Sequence, residues 1–349
     1  MTSEITIALD AMGGDEGAPM VIEGAAIAAR RSGDVHFLLF GDQAVLEPLL
    51  ADQSDLQGRV SIKHTDLAIK GEDKPARAVR RGQGSSMGLA IAAVRDGTAE
   101  VAVSAGNTGA LMALSKVMLR TMEGIDRPAL CALMPTSRGE SVMLDLGANV
   151  ECSEENLIQF AIMGAAFART VLGVERPKVA LLNVGVEEVK GHDTVKSAGQ
   201  ILKETSLPME FAGFIEGDAI SSGVIDVFVT DGFTGNIAIK TAEGTAKFIS
   251  ELLREAFKSS WLSRLGYLLA RPGLETLRYH LDPNSHNGGV FLGVNGLVVK
   301  SHGGSSAEGF ATAVGNAERM ARNDLCRLIS DDLKNFENHD PVVMAAASE

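Results

Sequence analysis

Three glycine-rich segments of this sequence carry residue types suited to holding an oxyanion. Asp10-Ala11-Met12-Gly13-Gly14-Asp15 follows the apolar run Ile5–Leu9, and Gly106-Asn107-Thr108-Gly109 follows Val101–Ser104. Asp231-Gly232-Phe233-Thr234-Gly235-Asn236 follows Ile225–Thr230. Glycines lack side chains, so backbone N–H groups can approach an anion closely, and an adjoining helix N-terminus adds partial positive charge. Asn107, Thr108, Thr234 and Asn236 offer side-chain donors beside them. One such loop alone reads as a capped helix start. Three in corresponding positions read as an anion cradle, with Gly13, Gly14, Gly106, Gly109, Gly232 and Gly235 as its glycines.

Two further segments add charge and hydroxyls. Lys190, in the loop after Lys178–Leu182, is placed to neutralise a phosphate or a developing oxyanion. The loop Ser301-His302-Gly303-Gly304-Ser305-Ser306 is dense in donors and follows an apolar strand. Other chemistries fail on spacing. GxxxxGK[ST] is missing, and so is a strand-linked GxGxxG, which removes the P-loop and weakens a dinucleotide site. Gly84-Ser85-Ser86-Met87-Gly88 satisfies GxSxG but follows a polar, basic run rather than a strand, so it is not expected to form a nucleophile elbow. No HExxH occurs, and His192 beside Asp193 is a close acid–imidazole pair.

The elements that must position these loops are legible as alternating patterns. Apolar runs at Ile5–Leu9, His36–Phe40, Glu100–Ser104, Val142–Asp145, Lys178–Asn183, Met209–Ile215 and Ile225–Thr230 predict strands covered on both faces. Helical spacing predicts helices over Pro19–Arg31, Ser85–Asp96, Ala110–Arg120, Glu154–Leu172 and Thr194–Glu204. Alternation of this kind implies right-handed crossovers and a mostly parallel sheet in a layered α/β/α domain spanning 1–330. The loops at Gly106 and Gly232 echo each other, which reads as a recurrent loop solution rather than a duplicated domain. Residues 247–281 differ, with amphipathic helical spacing, a slip before Trp261 and an expected break at Arg271-Pro272-Gly273. Six basic residues there stand against three acidic ones, in a chain whose net charge is −13. Such a hairpin either packs on the body or offers a basic, apolar surface to an anionic membrane or an acidic carrier protein. Residues 331–349 read as a polar, frayed tail.

The net charge of −13 and an aromatic content of 5% argue against nucleic acid as a partner. Three scattered cysteines give neither a disulfide framework nor a zinc site and point to a reducing cytosol. The N-terminus lacks the basic flank of a signal peptide, and no apolar run approaches the roughly 20 residues needed to span a bilayer.

Taken together, LDAMGGD (9–15), SAGNTGALMA (104–113), RPAL (127–130), DLGAN (145–149), LLNVGVEEVKG (181–191), TDGFTGNIAIKTAEG (230–244) and LGVNGLVVKSHGGSS (292–306) are collinear over Ile5 to Leu328. In this the sequence resembles the phosphate acyltransferases of bacterial phospholipid synthesis. It departs from the family pattern at His192, where a small polar residue is expected, and in one extra glycine within SHGGSS. The resemblance implies a Rossmann-like three-layer α/β/α fold similar to phosphate acetyltransferases, a homodimer, and neither metal nor organic cofactor. It implies transfer of a fatty acyl group from acyl carrier protein to orthophosphate, reversibly forming acyl phosphate. It also implies a cytoplasmic protein at the inner face of the membrane, near the downstream membrane glycerol-3-phosphate acyltransferase.

Orthophosphate is itself nucleophilic, so this chemistry requires orientation and oxyanion stabilisation rather than a covalent nucleophile. Lys190 and Asn236 are then expected to contact phosphate or oxyanion. Gly106–Gly109 and Gly232–Gly235 are expected to supply N–H donors, and His302, Ser305 and Ser306 to line the pocket. His192 or His302 could protonate the departing thiolate. On the hairpin, Arg254, Lys258, Trp261, Arg264, Leu265, Leu268, Leu269 and Arg271 become the expected membrane or carrier contacts. An acyl-CoA-dependent phosphate acyltransferase, and a non-catalytic acyl-carrier or lipid-binding regulator on the same fold, stand as alternatives.

Overall fold

The computed structural model describes residues 4–282, 285 and 287–339. The first half of the chain runs β1 (Ile5–Asp10), α1 (Ala18–Arg31), β2 (Val35–Gly41), α2 (Gln43–Ala51), β3 (Val60–His64), α3 (Pro75–Arg81), α4 (Ser86–Arg95), β4 (Val101–Ser104) and α5 (Thr108–Leu119). A hairpin of β5 (Ala129–Thr136) and β6 (Gly139–Leu144) follows, then α6 (Glu154–Val171), β7 (Lys178–Leu182), α7 (Asp193–Glu204), β8 (Glu210–Ile215) and β9 (Val227–Val229). Two long helices, α8 (Gly232–Lys258) and α9 (Trp261–Leu281), precede β10 (Gly289–Leu292), β11 (Leu297–Lys300), α10 (Ala307–Arg322) and α11 (Leu325–His339).

The eleven strands among the described residues form one sheet in the order β3-β2-β1-β4-β11-β10-β5-β6-β9-β7-β8. Pairing is parallel except where β10 meets β11 and β5, and where β5 meets β6. Those three antiparallel steps reverse the chain direction, so β6, β9, β7 and β8 run opposite to β3, β2, β1, β4 and β11. The sheet is mostly parallel, as the alternation predicts, but its two halves are antiparallel to each other.

Alternate residues of each strand point to opposite faces, and both faces are apolar. On one face Ile7, Phe37, Val103, Val142, Val179 and Val227 pack in a core with α1, α6, α7, α10 and α11 residues. On the other, Ala8, Leu38, Ala102 and Val298 pack under α4 and α5. Farther along that second face Met143, Ala180 and Phe228 share a smaller cluster with Ala238 and Ile239 of α8 and a short turn at Ala219–Ile220. Helical cover is thinner there, and the cleft described below opens in that place.

Two expected boundaries move. Arg271-Pro272-Gly273 does not break the second helix, since α9 runs through Pro272 to Leu281. The carbonyl that Pro272 leaves without an N–H donor belongs to Leu268, which is 63% exposed, so water can satisfy it. The slip before Trp261 is the real break, capped by Ser260, whose side chain accepts from the Ser263 N–H. The expected tail from residue 331 is helical as far as His339. Leu325, Ile329 and Leu333 recur at helical spacing and are buried in the main core, and Asp332 pairs with Arg169 of α6. Residues 340–349 of that expected tail lie outside the described residues. No helix among the described residues is long and apolar enough to cross a membrane.

Candidate active site

A buried acid organises the loops at the ends of β1, β4 and β11. Asp10, 1% exposed, accepts hydrogen bonds from the hydroxyls of Ser104, at 2.6 Å, and Ser86. Burial raises its pKa above the usual carboxylate value, and those hydroxyls together with nearby Lys300 oppose the rise. The three loops are stitched by backbone bonds from Asp15 N–H to the Gly303 carbonyl (2.9 Å) and from Ser301 N–H to the Ser104 carbonyl (2.9 Å). A Cβ on Gly13 would fall 2.6 Å from Asp10 Oδ2 and 2.8 Å from the Gly106 nitrogen, so this packing requires glycine.

A second buried acid does the same in the reversed half of the sheet. Asp145, fully buried, accepts from the N–H groups of Leu130, Gly147, Ala148 and Asn149 and from the Asn149 amide. The loop it shapes receives α8: Gly232 N–H donates to the Asn149 carbonyl at 2.7 Å, and Asp231 caps the helix by accepting from Thr234 N–H at 2.8 Å. Burial again raises the carboxyl pKa against the pull of those donors. The DLGAN string is thus a scaffold for the start of α8.

Between the two loop groups lies a cleft of about 1890 Å³. Lys300, His302, Asn287 and Thr108 bound it from the β4–β11 side. Asn236, Thr234 and Lys240 bound it from α8, and Asn183 and His192 from the β7 loop. Its floor is apolar, with Met134, Met143, Leu146, Ile220 and Ile239.

The expected site residues fall into two groups. Asn236, His302, Thr108 and Thr234 line the cleft. Asn236 is exposed, and its side chain makes no hydrogen bond among the described residues. His302 Nδ1 accepts from Gly304 N–H at 3.2 Å, which leaves Nε2 as the nitrogen that carries the proton in the neutral ring. Thr234 also donates its hydroxyl to Asp231 at 2.7 Å. Lys190 lies outside the cleft lining, exposed and paired with Glu187 at 2.9 Å, and that carboxylate raises its pKa.

The glycine loops are cradles in a different sense from the one the sequence suggests. Gly106 N–H donates to Ser104 Oγ at 3.0 Å, and Gly235 N–H donates to the Asp231 carbonyl at 2.9 Å. With Gly232 bonded to Asn149, these N–H groups are committed to the protein and not aimed at a ligand. A Cβ on Gly232 would meet the Asn149 carbonyl oxygen at 2.5 Å, and one on Gly106 would meet Met87 at 2.6 Å. Their role is close backbone approach. Gly14, at φ +95°, and Gly109 lie outside the cleft lining too. Asn107 caps α5 by accepting from Ala110 N–H, while its amide donates to the Gly71 carbonyl. Ser306 caps α10 through the Gly309 N–H, and Ser305 is buried against Ser301 Oγ at 3.1 Å, so neither serine hydroxyl turns to the cleft.

Nucleophilic side chains in the cleft are muted. Cys152 lines it, but burial and the Asp145 charge push its thiol up to about 11. Ser86, in the GxSxG string, is buried against Asp10 and follows a short 3-10 turn rather than a strand.

The sequence matches the family described as fatty acid synthesis protein over residues 5–328. It is 52% identical over 337 residues to the phosphate acyltransferase of Rhodospirillum rubrum, covering 97% of each chain. It is 56% identical over 334 residues to that of Parvibaculum lavamentivorans, covering 95% of this chain and 92% of the relative. The chain belongs to the phosphate acyltransferase family. Solved structures of similar fold include the EutD phosphotransacetylase from Staphylococcus aureus, with a TM-score of 0.60 at 18% identity, covering 92% of this chain and 96% of that one. A phosphotransacetylase from Streptococcus pyogenes gives a TM-score of 0.61 at 18% identity, covering 91% and 94%. As a phosphate acyltransferase, the protein is an enzyme that needs room for an acyl donor beside an anion, and the cleft carries cationic and apolar parts side by side.

Two cleft-lining lysines fall within the matching strings 230–244 and 292–306 but are not singled out by them. Lys300 ends an ordinary apolar strand, and Lys240 falls within a helical run where a lysine usually reads as a solvated surface residue. The topological reversal that brings them near each other leaves no local signal.

Proposed function

We propose that this enzyme transfers a fatty acyl group from acyl carrier protein to orthophosphate, giving acyl phosphate and the free carrier thiol. The observation that carries this reading is the composition of the cleft, which joins Lys240, Lys300 and His302 to a floor lined by methionine and isoleucine. Its volume, about 1890 Å³, exceeds the roughly 300–1,000 Å³ of ordinary small-molecule sites and suits a long chain better than an acetyl group. Phosphate attacks the thioester carbonyl directly, because the site offers no activated serine or thiolate. Asn236 donates to the tetrahedral oxyanion. Lys190, on a loop whose neighbours Asn183 and Val184 line the cleft, adds positive charge when its exposed pair with Glu187 opens. His302 Nε2 is the proton source for the departing sulfur.

The hairpin gives the same reading a surface. The α8 face that lines the cleft continues through Ile249 to an outer segment where Trp261 and Leu269 are 73% and 78% exposed. Leu265 and Leu268 are exposed beside them, and Arg254, Lys258 and Arg264 make no ion pair among the described residues. Arg271 is instead paired with Glu275 at 2.9 Å. This basic, apolar tip is proposed to rest on the anionic inner leaflet, with the acidic carrier docking alongside, in a homodimeric enzyme that passes acyl phosphate to a membrane glycerol-3-phosphate acyltransferase.

The direct test is incubation with acyl-loaded carrier protein and labelled phosphate. Acyl phosphate should form in proportion to thioester lost. Turnover with acyl-CoA but not with the loaded carrier would replace the donor, and binding of the loaded carrier without phosphate-dependent thioester loss would make the protein a regulator.

A further inference from the structure

Lys300 is the last residue of β11, a central strand, in register with Ser104 of β4 on one side and Gly289 of β10 on the other. Its side chain is largely buried at the cationic end of the cleft, where Nζ donates to the Ala105 carbonyl at 3.3 Å and to the Ser301 carbonyl. It makes no ion pair among the described residues. An ammonium has three donors, and buried cations are normally paired. Two carbonyls therefore leave Lys300 short of an anion on the side that opens to the cleft. Asp10 comes from β1 and Asp15 from the following loop, and both favour its charge; Lys240 comes from α8 and opposes it. His302 stands two residues on in its own loop. Asp10 is tied down by the Ser104 and Ser86 hydroxyls and is not part of the cleft lining.

We infer that Lys300 is the cation that receives the phosphate substrate, with Lys240 supplying a second charge across the cleft. Lys240 is paired with Glu243 of its own helix at 2.7 Å, an exposed pair that a doubly charged anion held at Lys300 can compete for. Phosphate there lies beside His302 and within the same cleft as Asn236, so the attacking oxygen and the oxyanion donor share one space. Burial lowers the Lys300 pKa to about 8, so bound phosphate should hold a proton on the amine that free enzyme releases as the pH rises. Phosphate affinity is then strongest below about pH 8 and falls above it.

This inference rests on the phosphate acyl-transfer reading, and the experiment separates the two. Wild-type enzyme is assayed first for phosphate-dependent acyl phosphate formation; failure at that step counts against the reaction, not against Lys300. In Lys300→Met the phosphate KM should rise by about tenfold or more while the acyl-donor KM stays near wild type. Lys300→Arg should recover part of the phosphate affinity and lose the decline above pH 8, because guanidinium stays charged. A smaller rise in phosphate KM for Lys300→Met, with the alkaline decline intact, overturns the assignment. If the methionine variant does not fold, the wild-type enzyme supplies the answer through acetic anhydride labelling read by mass spectrometry. Inorganic phosphate should slow acetylation of Lys300, and an unchanged labelling rate at saturating phosphate overturns the inference whatever the assay shows.

Discussion

A Cβ placed on Gly235 would lie 2.0 Å from the carbonyl oxygen of Asp145, so the first turn of α8 sits directly on the loop that Asp145 organises. The obstacle is backbone and cannot swing aside. Gly235→Ala should therefore push α8 off that loop, destabilise the protein by about 1–3 kcal/mol and misplace Asn236. Gly244→Ala is the matched control in the same helix, with nothing within 4 Å of the added methyl, and should gain up to about 1 kcal/mol of helix propensity. Chemical denaturation of both variants decides the matter. Equal stability of Gly235→Ala and wild type would remove the close approach from the account.

That pair also shows what local sequence pattern conveys. Several helices and most strands were legible because one-sided burial imposes periodicity, as in Asp193–Glu204, where Ala198, Leu202 and the partly buried Val195 and Ile201 pack against the core. Strand direction was not legible. Apolar runs such as Ile225–Thr230 look alike whichever neighbour they pair with, and the reversing strands are the poorest signals. β10 is four residues long and begins with glycine, while β5 ends on Pro135-Thr136. The glycines were read as an anion cradle, whereas Gly232 and Gly235 pack against the protein's own backbone and Gly106 against the Met87 side chain. Lys300 and Lys240 escaped because their neighbours across the cleft lie far away in sequence.

Lys190 forms an exposed pair with Glu187, so its removal should cost little stability. Lys190→Ala is expected to keep its far-UV spectrum and melting behaviour and to lose about tenfold or more in kcat/KM for phosphate. A folded variant with full activity removes Lys190 from the reaction and leaves the phosphate charge to Lys300 and Lys240.

The Cys152 thiol, held up at about 11 by burial and by Asp145, is almost wholly protonated at neutral pH. Thiolate is the reactive form, so alkylation of Cys152 by iodoacetamide should rise about tenfold for each pH unit between 7 and 10. Peptide mass spectrometry across that range reads it directly. Rapid alkylation at pH 7 that does not increase with pH would mean a thiolate already present, and a covalent acyl-enzyme would return as a route.

Leu333, 3% exposed, places α11 in the main core, although the sequence around it reads as polar and irregular. Leu333→Ala should cost about 2–5 kcal/mol, as for other buried leucines. Urea unfolding measures it. A change within error would mean that α11 is dispensable and that the body of the enzyme ends near Ser330.

The hairpin prediction depends on exposure rather than burial. Trp261, Leu265, Leu268 and Leu269 project from the first turns of α9, flanked by Arg254, Lys258 and Arg264, which make no ion pair among the described residues. Insertion of those apolar groups between lipids supplies binding that salt does not screen, while the basic residues add attraction to anionic headgroups that salt does screen. Wild-type enzyme should float with phosphatidylglycerol-containing vesicles at low salt, and less so at high salt. A Trp261→Asp, Leu265→Asp double variant should stay at the bottom of the gradient at both. Because these side chains are solvated in the folded protein, the substitutions should leave the melting temperature unchanged, which separates lost membrane binding from lost structure. Flotation that survives the double substitution would take the membrane role from the hairpin and leave the carrier protein as the proposed occupant of that surface.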